Sequence, residues 1–413
     1  MSTAPKRPTV NVLGLGYIGL PTASLLATRG YQVHGVDVSP EVVATINQGD
    51  IHIVEPELDV LVRSAVHSSQ LTAATEPAAA DVFLIAVPTP FKDGKQPDLS
   101  YVEAATRSMA QVLEPGNLVI LESTSPVGTT ERVAEWIAAA RPDLKPDAIH
   151  IAHCPERVLP GRIIQELVDN DRVVGGLDDA STEAAADFYR AFVSGEVLPT
   201  TARTAEMAKL TENTFRDVNI ALANELSLIC DRLDIDVWRL IELANRHPRV
   251  NVLQPGPGVG GHCIAVDPWF IIDSAPEQAQ LIHTARTVND AKPDHVVAQA
   301  ISRAERLRDP VIACLGLAYK PDVDDLRESP ALRITESLAE RGVGRIMAVE
   351  PYAESMPPRL EELGAEWANL QDAMQEADIL VALVAHRPFR NLSAAQVQAK
   401  MVVDACGLLK QLG

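Results

Sequence analysis

The chain opens on a short β-rich run, Thr9 to Leu13, that stops at Gly14. An apolar stretch with helical spacing follows from Pro21 to Arg29 and ends at Gly30. A second strand pattern runs from Gln32 to Val38. Two continuous apolar runs come next: Asp81 to Val87, stopped by Pro88-Thr89-Pro90, and Leu118 to Glu122, stopped by Ser123-Thr124. Short apolar strands alternating with helical stretches predict a parallel sheet buried on both faces, the doubly wound α/β arrangement.

The middle of the chain changes period. From about Thr204 to Leu233 the spacing is helical, and Leu222, Leu226, Ile229 and Leu233 form one apolar stripe. A helix of this length either bridges domains, with its stripe as a dimer interface, or belongs to one larger domain. A loop rich in proline and glycine follows, Gln254-Pro255-Gly256-Pro257-Gly258-Val259-Gly260-Gly261-His262-Cys263. The last part echoes the first. Val311 to Leu315 is a strand pattern followed by Gly316, Arg345 to Val349 ends at the acidic Glu350, and Asp378 to Val384 repeats the character of Asp81 to Val87. The pattern predicts an α/β protein with two Rossmann-like doubly wound domains joined by a long central helix or helical domain. The expected boundaries are 1–200, 201–305 and 306–413. Glycines in the last domain do not complete a dinucleotide fingerprint, so it is expected to bind something else.

Composition narrows the partners. The 413 residues carry a net charge of −20, and aromatics make up only 4%. An acidic chain repels nucleic acid and anionic membranes, and few aromatics argue against a base-stacking platform. No apolar run approaches the roughly 18 residues of a membrane span, and the first ten residues hold no apolar signal core. A cytoplasmic protein is expected. The five cysteines, Cys154, Cys230, Cys263, Cys314 and Cys406, include no C-x-x-C pair, so neither a zinc site nor a disulfide framework is expected.

Gly14, Gly16 and Gly19 form G-x-G-x-x-G between a strand and a helix. The first makes the tight turn, the second lets backbone N–H groups reach a pyrophosphate, and the third packs helix on strand. Asp37, at the end of the second strand, is placed to accept both ribose hydroxyls and repels a 2′-phosphate, which favours NAD over NADP.

Cys263 is the candidate nucleophile, because it alone among the cysteines lies in a glycine-rich loop, with His262 beside it and Asp267 close behind. The other four fall in or just past apolar elements and read as small core residues. Lys209, Asn213 and Arg216 recur at i, i+4 and i+7 on one helix face, which is either a solvated face or a polar site. Lys320-Pro321-Asp322 and Asp325-Leu326-Arg327-Glu328 form a charged loop in the last domain, where Arg327 could grip a phosphate.

The blocks GLGYIGLP, VPTP, ESTSPVGTT, CPERVLPG, EMAKLTENTFRDVN, NRHPRVN, PGPGVGGHC and LAYKPDVDDLRES, in this order, resemble the UDP-glucose/UDP-N-acetylhexosamine 6-dehydrogenase family over essentially the whole chain. The versions GVGGHCIAVDPWF and IHIVEP resemble the branch acting on UDP-N-acetyl-D-mannosamine. In the UDP-glucose branch other residues typically stand at His262, Ile264 and Val266, and an arginine often stands at Val42.

The resemblance implies two hydride transfers to NAD. The substrate's primary alcohol becomes an aldehyde, which the Cys263 thiolate captures as a thiohemiacetal. This is oxidised to a thioester that water hydrolyses. It further implies that Lys209 and Asn213 stabilise the oxyanion, with Lys209 as acid/base. Asp267 would position water and the lysine, Glu156 would assist thioester hydrolysis, and Thr124 would stand near the water and the nicotinamide. Tyr17, Ile18, Asp37, Thr89 and Thr124 would line NAD, with Arg327 reaching its phosphates. Arg157, Val158, Lys209, Asn213, Arg216, His247, Arg249, Gly260, Tyr319 and Lys320 would surround the UDP-sugar, so that 306–413 is the UDP-sugar domain. Arg249 would come from a partner subunit, which implies a homodimer or higher oligomer. The product would be a uronic acid for cell-surface polysaccharide. The alternatives are UDP-glucose or UDP-N-acetylglucosamine as substrate, a two-electron hydroxyacid dehydrogenase, and a non-catalytic NAD-binding regulator.

Overall fold

The computed structural model describes residues 7–261 and 263–409. His262 therefore lies outside the described residues. The chain divides into two compact units. One holds the residues up to Glu212 together with Trp269–Ala275, and the other holds Asn213–Pro268 and the residues from Pro276 onward.

The first unit is built on one eight-stranded sheet. Its strands are β1 (Thr9–Leu13), β2 (Gln32–Val36), β3 (Leu71–Ala74), β4 (Val82–Ile85), β5 (Leu118–Leu121), β6 (His150–His153), β7 (Arg172–Gly176) and β8 (Val197–Thr201). Their order in space is β3-β2-β1-β4-β5-β6-β7-β8. All neighbours are parallel except β6 and β7, which run antiparallel with Ala152 opposite Gly176. The reversal of direction falls between β1 and β4, the crevice where a doubly wound sheet binds ligands. Alternation along β4 explains the two-sided burial. Val82 and Leu84 join one core, with Val10, Val12 and Ile120, while Phe83 and Ile85 join the other, with Val119 and Leu121. Both faces are dry, as the continuous apolar runs required.

The second unit repeats the plan with five parallel strands: β9 (Val311–Leu315), β10 (Arg345–Val349), β11 (Glu366–Trp367), β12 (Ile379–Ala382) and β13 (Met401–Asp404), ordered β11-β10-β9-β12-β13. Ile312 and Cys314 face one core and Ala313 and Leu315 the other. The strands end sooner than their apolar runs suggested. Those expected to reach Val38 and Val87 stop at Val36 and Ile85.

The long helix runs Ala202–Leu233, and a second runs Gln280–Ala304 with Pro293 inside it. Within the second unit these helices meet through buried polar groups. Asn224 donates to Asn289 at 2.9 Å, Asn289 donates to the Asp217 carboxylate at 2.8 Å, and Arg286 pairs with Asp217 at 2.6 Å. The stripe read as apolar is exposed at Leu222, Ile229 and Leu233. Among the described residues no helix is long and apolar enough to cross a membrane.

Candidate active site

The turn after β1 is shaped for a pyrophosphate. Gly14 has φ +91°, and a Cβ there would lie 2.6 Å from the Ala86 carbonyl oxygen. A Cβ on Gly19 would lie 1.7 Å from the Gly14 carbonyl oxygen, so any side chain would force the helix off the strand. A Cβ on Gly16 would meet nothing within 4 Å, which leaves the backbone there open to a ligand. No side chain caps the N-terminus of the following helix, Gly19–Thr28, so its backbone dipoles point at that opening. Tyr17 is exposed beside it and Ile18 is half-buried. Asp37, just past β2, accepts N–H groups from Leu15 at 3.1 Å and Ser39 at 3.0 Å. Those bonds orient its carboxylate and leave lone pairs for a ribose. The donor set fits NAD.

The ends of the next strands hold the other first-unit residues. Thr89, after β4, donates its hydroxyl to the Thr124 carbonyl after β5 at 2.7 Å, fixing the two loops side by side. Glu156, after β6, is buried. It ion-pairs with Arg172 of β7 at 2.5 Å and accepts the Arg157 backbone N–H at 2.7 Å. Arg157 pairs with Glu212 at 2.7 Å. Its charge is thus offset by a neighbouring carboxylate. Val158 packs against the first-unit core.

Behind Glu156 lies a buried polar cluster. Tyr189 donates its hydroxyl to Glu122 at 2.7 Å. Burial, with the nearby Glu156 carboxylate, pushes the Glu122 carboxyl up to about 7. Burial pushes the Cys154 thiol up to about 12 and His153 down to about 3, so both are neutral core groups. Cys154, Cys230 and Cys314 are buried and Cys406 is half-buried, while Cys263 is exposed. The expectation that four cysteines are core residues is met fully by three.

In the second unit Asn213, Asp267 and Cys263 are joined. The Asn213 side-chain N–H is donated to Asp267 Oδ2 at 2.5 Å, and the Asp267 backbone N–H is donated to the Cys263 carbonyl at 2.9 Å. Asn224 accepts the Gly256 N–H at 2.8 Å, so the long helix also holds the start of the thiol loop. Gly260 is needed because a Cβ there would lie 2.4 Å from the Glu328 carbonyl oxygen, and one on Gly261 (φ +82°) would lie 2.9 Å from the Tyr319 ring. The thiol loop therefore packs on Tyr319, whose ring also carries the Lys320 ammonium 5.5 Å from its centroid. Arg327 is bidentate to Asp325 at 2.9 and 2.7 Å. Arg216, His247 and Arg249 are exposed, and the Arg249 N–H reaches His247 Nδ1 at 3.3 Å. Lys209, half-buried, lies one turn before Asn213 on the same helix.

Two carboxylates and one arginine were missed in the sequence, and Glu350 reads there only as the acid that ends a strand. Glu55 accepts the Gly161 and Ile163 N–H groups, each at 2.8 Å, and so anchors the loop after Glu156. Glu206 accepts from Gly128 and Thr130 N–H at 2.7 and 2.8 Å, capping the helix after Ser123-Thr124 from outside. The arginine is Arg172, the partner of Glu156. Glu55 and Glu206 sat inside the blocks IHIVEP and EMAKL, but an acid's partner 76 to 108 residues away has no local signal. Among the described residues no group of three His, Cys, Asp or Glu could hold a metal ion.

A mainly parallel sheet with an open glycine turn beside an acid, and a second unit that holds a parallel sheet and an exposed cysteine, define an NAD-dependent oxidoreductase of two Rossmann-like units. The chain belongs to the UDP-glucose/GDP-mannose dehydrogenase family: its NAD binding domain matches residues 8–193, its central domain 203–291 and its UDP binding domain 313–411. An NDP-N-acetyl-D-galactosaminuronic acid dehydrogenase of Ralstonia nicotianae is 57% identical, covering 97% of this chain and 96% of that one. A UDP-N-acetyl-D-mannosamine dehydrogenase of Escherichia coli K12 is 54% identical, covering 97% and 99%. A solved UDP-D-ManNAc dehydrogenase from Pyrococcus horikoshii is 39% identical and superposes with a TM-score of 0.88, covering 97% and 96%.

Proposed function

We propose that this chain oxidises the primary alcohol at C6 of UDP-N-acetyl-D-mannosamine to the carboxylate, giving UDP-N-acetyl-D-mannosaminuronate for cell-surface polysaccharide, through a covalent intermediate on Cys263. The observation that carries the reading is the exposed Cys263 thiol on a glycine loop tied through Asp267 to Asn213. NAD, when bound, supplies the hydride acceptor. Lys209 takes the proton of the alcohol. Once the aldehyde forms, the Cys263 thiolate adds to its carbonyl carbon, and Lys209 and Asn213 stabilise the oxyanion. After the second hydride leaves, Glu156 assists water in cleaving the thioester, and the thiol is released. One alcohol, one water and two NAD thus give one carboxylate, two NADH and three protons.

Lys320 and Tyr319 hold the UDP end, with Arg157, Val158, Arg216, His247 and Gly260 around the sugar and phosphates, and Arg327 on the NAD phosphates. The exposed positions Phe215, Leu222, Ile229 and Leu233 recur at seven, seven and four residues along the long helix, as a helix-pairing seam would. They support a homodimer in which Arg249 reaches the partner's site. A soluble, cytoplasmic location fits a nucleotide-sugar substrate.

A second reading changes the sugar. The 57% identical Ralstonia relative is named for N-acetyl-D-galactosaminuronic acid, and an epimeric hydroxyl is read by few contacts. Product analysis with UDP-N-acetylmannosamine, UDP-N-acetylgalactosamine, UDP-N-acetylglucosamine and UDP-glucose tests both. Preferred turnover of the first, with two NADH per sugar, is expected. Preference for another sugar would replace the substrate, and one NADH per sugar would replace the chemistry.

A further inference from the structure

In the first unit the acid after the second strand, Asp37, is half-buried and accepts the backbone N–H groups of Leu15 and Ser39. Its counterpart in the second unit, Glu350 after β10, makes the matching backbone bonds but is buried and holds further partners. Glu350 Oε2 accepts the backbone N–H groups of Leu317 at 2.7 Å and Ala318 at 3.0 Å, and its other oxygen accepts the Tyr352 N–H at 3.0 Å. His386, just past β12, lies with Nε2 3.0 Å from the same Oε2, and neither side chain is exposed. The other ring nitrogen of His386, Nδ1, accepts the Asp322 backbone N–H at 2.9 Å. A backbone N–H can only donate, so Nδ1 is the acceptor and the ring proton sits on Nε2, donated to Glu350. Gly316 makes room for this arrangement: with φ +87°, a Cβ there would lie 2.5 Å from Val384 Cβ and 3.1 Å from the His386 ring.

These bonds fall on both sides of Tyr319-Lys320. Leu317 and Ala318 before them are held by Glu350, and Asp322 after them is held by His386. Asp322 sits at φ +62°, a conformation a non-glycine residue keeps only when its surroundings fix it. Its carboxylate is held in turn by the Tyr352 hydroxyl at 3.0 Å, the Arg387 N–H at 2.8 Å and the Arg387 guanidinium at 3.1 Å.

We propose that the buried Glu350–His386 pair is a positioning device for Lys320, fixing the turn that presents its ammonium to the diphosphate of the UDP-sugar. This rests on the reading of Lys320 as a UDP ligand given above. A lysine on a four-carbon stem is a mobile point charge, and a turn clamped at both ends lowers the ordering cost of bringing it to a phosphate.

The test is UDP binding to the intact protein by calorimetry, with NAD affinity as control, in a double-mutant cycle. Lys320→Ala weakens UDP if the underlying reading holds; unchanged affinity there overturns both that reading and this proposal. His386→Leu is expected to weaken UDP roughly tenfold with NAD affinity unchanged. His386→Asn, whose amide oxygen can take the place of Nδ1 toward the Asp322 N–H, is expected to recover most of the loss. In the Lys320→Ala background His386→Leu should cost nothing further. An affinity for UDP within twofold of the unmutated protein, or an equal loss in both backgrounds, overturns the positioning role alone. Should His386→Leu fail to fold, Tyr352→Phe carries the same comparison: a few-fold loss that vanishes in Lys320→Ala supports the proposal, and no loss overturns it.

Discussion

The Asn213 side-chain N–H is donated to Asp267 across 2.5 Å, and both residues stand within the second unit although 54 positions separate them. Asp267 is buried, and its backbone N–H is held by the Cys263 carbonyl. One hydrogen bond therefore couples the long helix to the thiol loop. Asn213→Ala removes a donor from a buried carboxylate, which costs roughly 1–3 kcal/mol of stability. Asn213→Asp sets two carboxylates against each other. We expect it to be the more destabilised of the two at pH 8 and to regain stability toward pH 5, as one carboxyl takes a proton. Thermal melts of both variants at the two pH values check this; equal losses at both would sever the coupling.

The Asp37 carboxylate is oriented by the Leu15 and Ser39 N–H groups, and we propose that it sets the cofactor preference. Asp37→Ala is expected to raise the KM for NAD about tenfold or more, for the loss of charge-assisted bonds to the ribose hydroxyls. It should also narrow the gap to NADP. Steady-state rates with both cofactors decide it, and comparable rates with NADP in the unmutated enzyme would remove this role from Asp37.

Arg172 and Glu156 form an ion pair with both side chains under 5% exposed. Removing one partner leaves the other charge buried and uncompensated, at a cost of about 3–5 kcal/mol. Arg172→Met should lower the melting temperature strongly. The double substitution Arg172→Met with Glu156→Gln should cost less than the sum of the two singles. Additive losses in denaturant titrations would show that the pair is not coupled.

Much of this fold is legible in the sequence because its strands are buried on both faces. Val82-Phe83-Leu84-Ile85 has no polar position to interrupt it, and such a run can only be a central strand. The glycine turn and Asp37 are legible for a similar reason: their spacing is a local backbone requirement. Local pattern does not report pairing across distance. Glu55 meets Gly161, Arg172 meets Glu156, and Glu350 meets His386, each by tertiary placement alone. The antiparallel β6–β7 pair was equally hidden, since strand direction leaves no trace in an apolar run. Arg157 is a further case: its ion pair with Glu212, 55 positions away, leaves no local trace in the sequence.

Glu122 links stability to pH. Its carboxyl, normally near 4.5, is pushed up to about 7 chiefly by burial and then by Glu156. Between those values the folded chain holds a proton that the unfolded chain has shed. Stability attributable to this group is therefore full below about pH 4.5 and falls as pH rises through 7, by an amount on the order of 3 kcal/mol. Glu122→Gln keeps an acceptor for the Tyr189 hydroxyl and removes the titration. It should melt above the unmutated protein at pH 8, with the gap closing at pH 5. A gap of the same size at both pH values would mean that Glu122 is not the titrating group.

On the proposed mechanism, Cys263 bears the second half of the reaction. A primary alcohol can yield an aldehyde by hydride loss alone, but an aldehyde gives up a second hydride readily only after a nucleophile adds to its carbonyl. Water can add, giving a hydrate; a thiolate is the better nucleophile and leaves a thioester that hydrolyses to the acid. Cys263 is the exposed cysteine, on a loop whose Gly260 and Gly261 permit no side chain. Burial holds the Cys154 and Cys314 thiols up at about 12, far from thiolate chemistry at neutral pH. Cys263→Ala is expected to abolish steady-state turnover and leave NAD affinity intact. Cys263→Ser should do nearly the same while accumulating a slowly hydrolysed ester. In Glu156→Gln, single-turnover mass spectrometry should find the sugar nucleotide attached at Cys263. Two NADH per sugar formed by Cys263→Ala at a near-normal rate would replace the covalent route with oxidation of the hydrate.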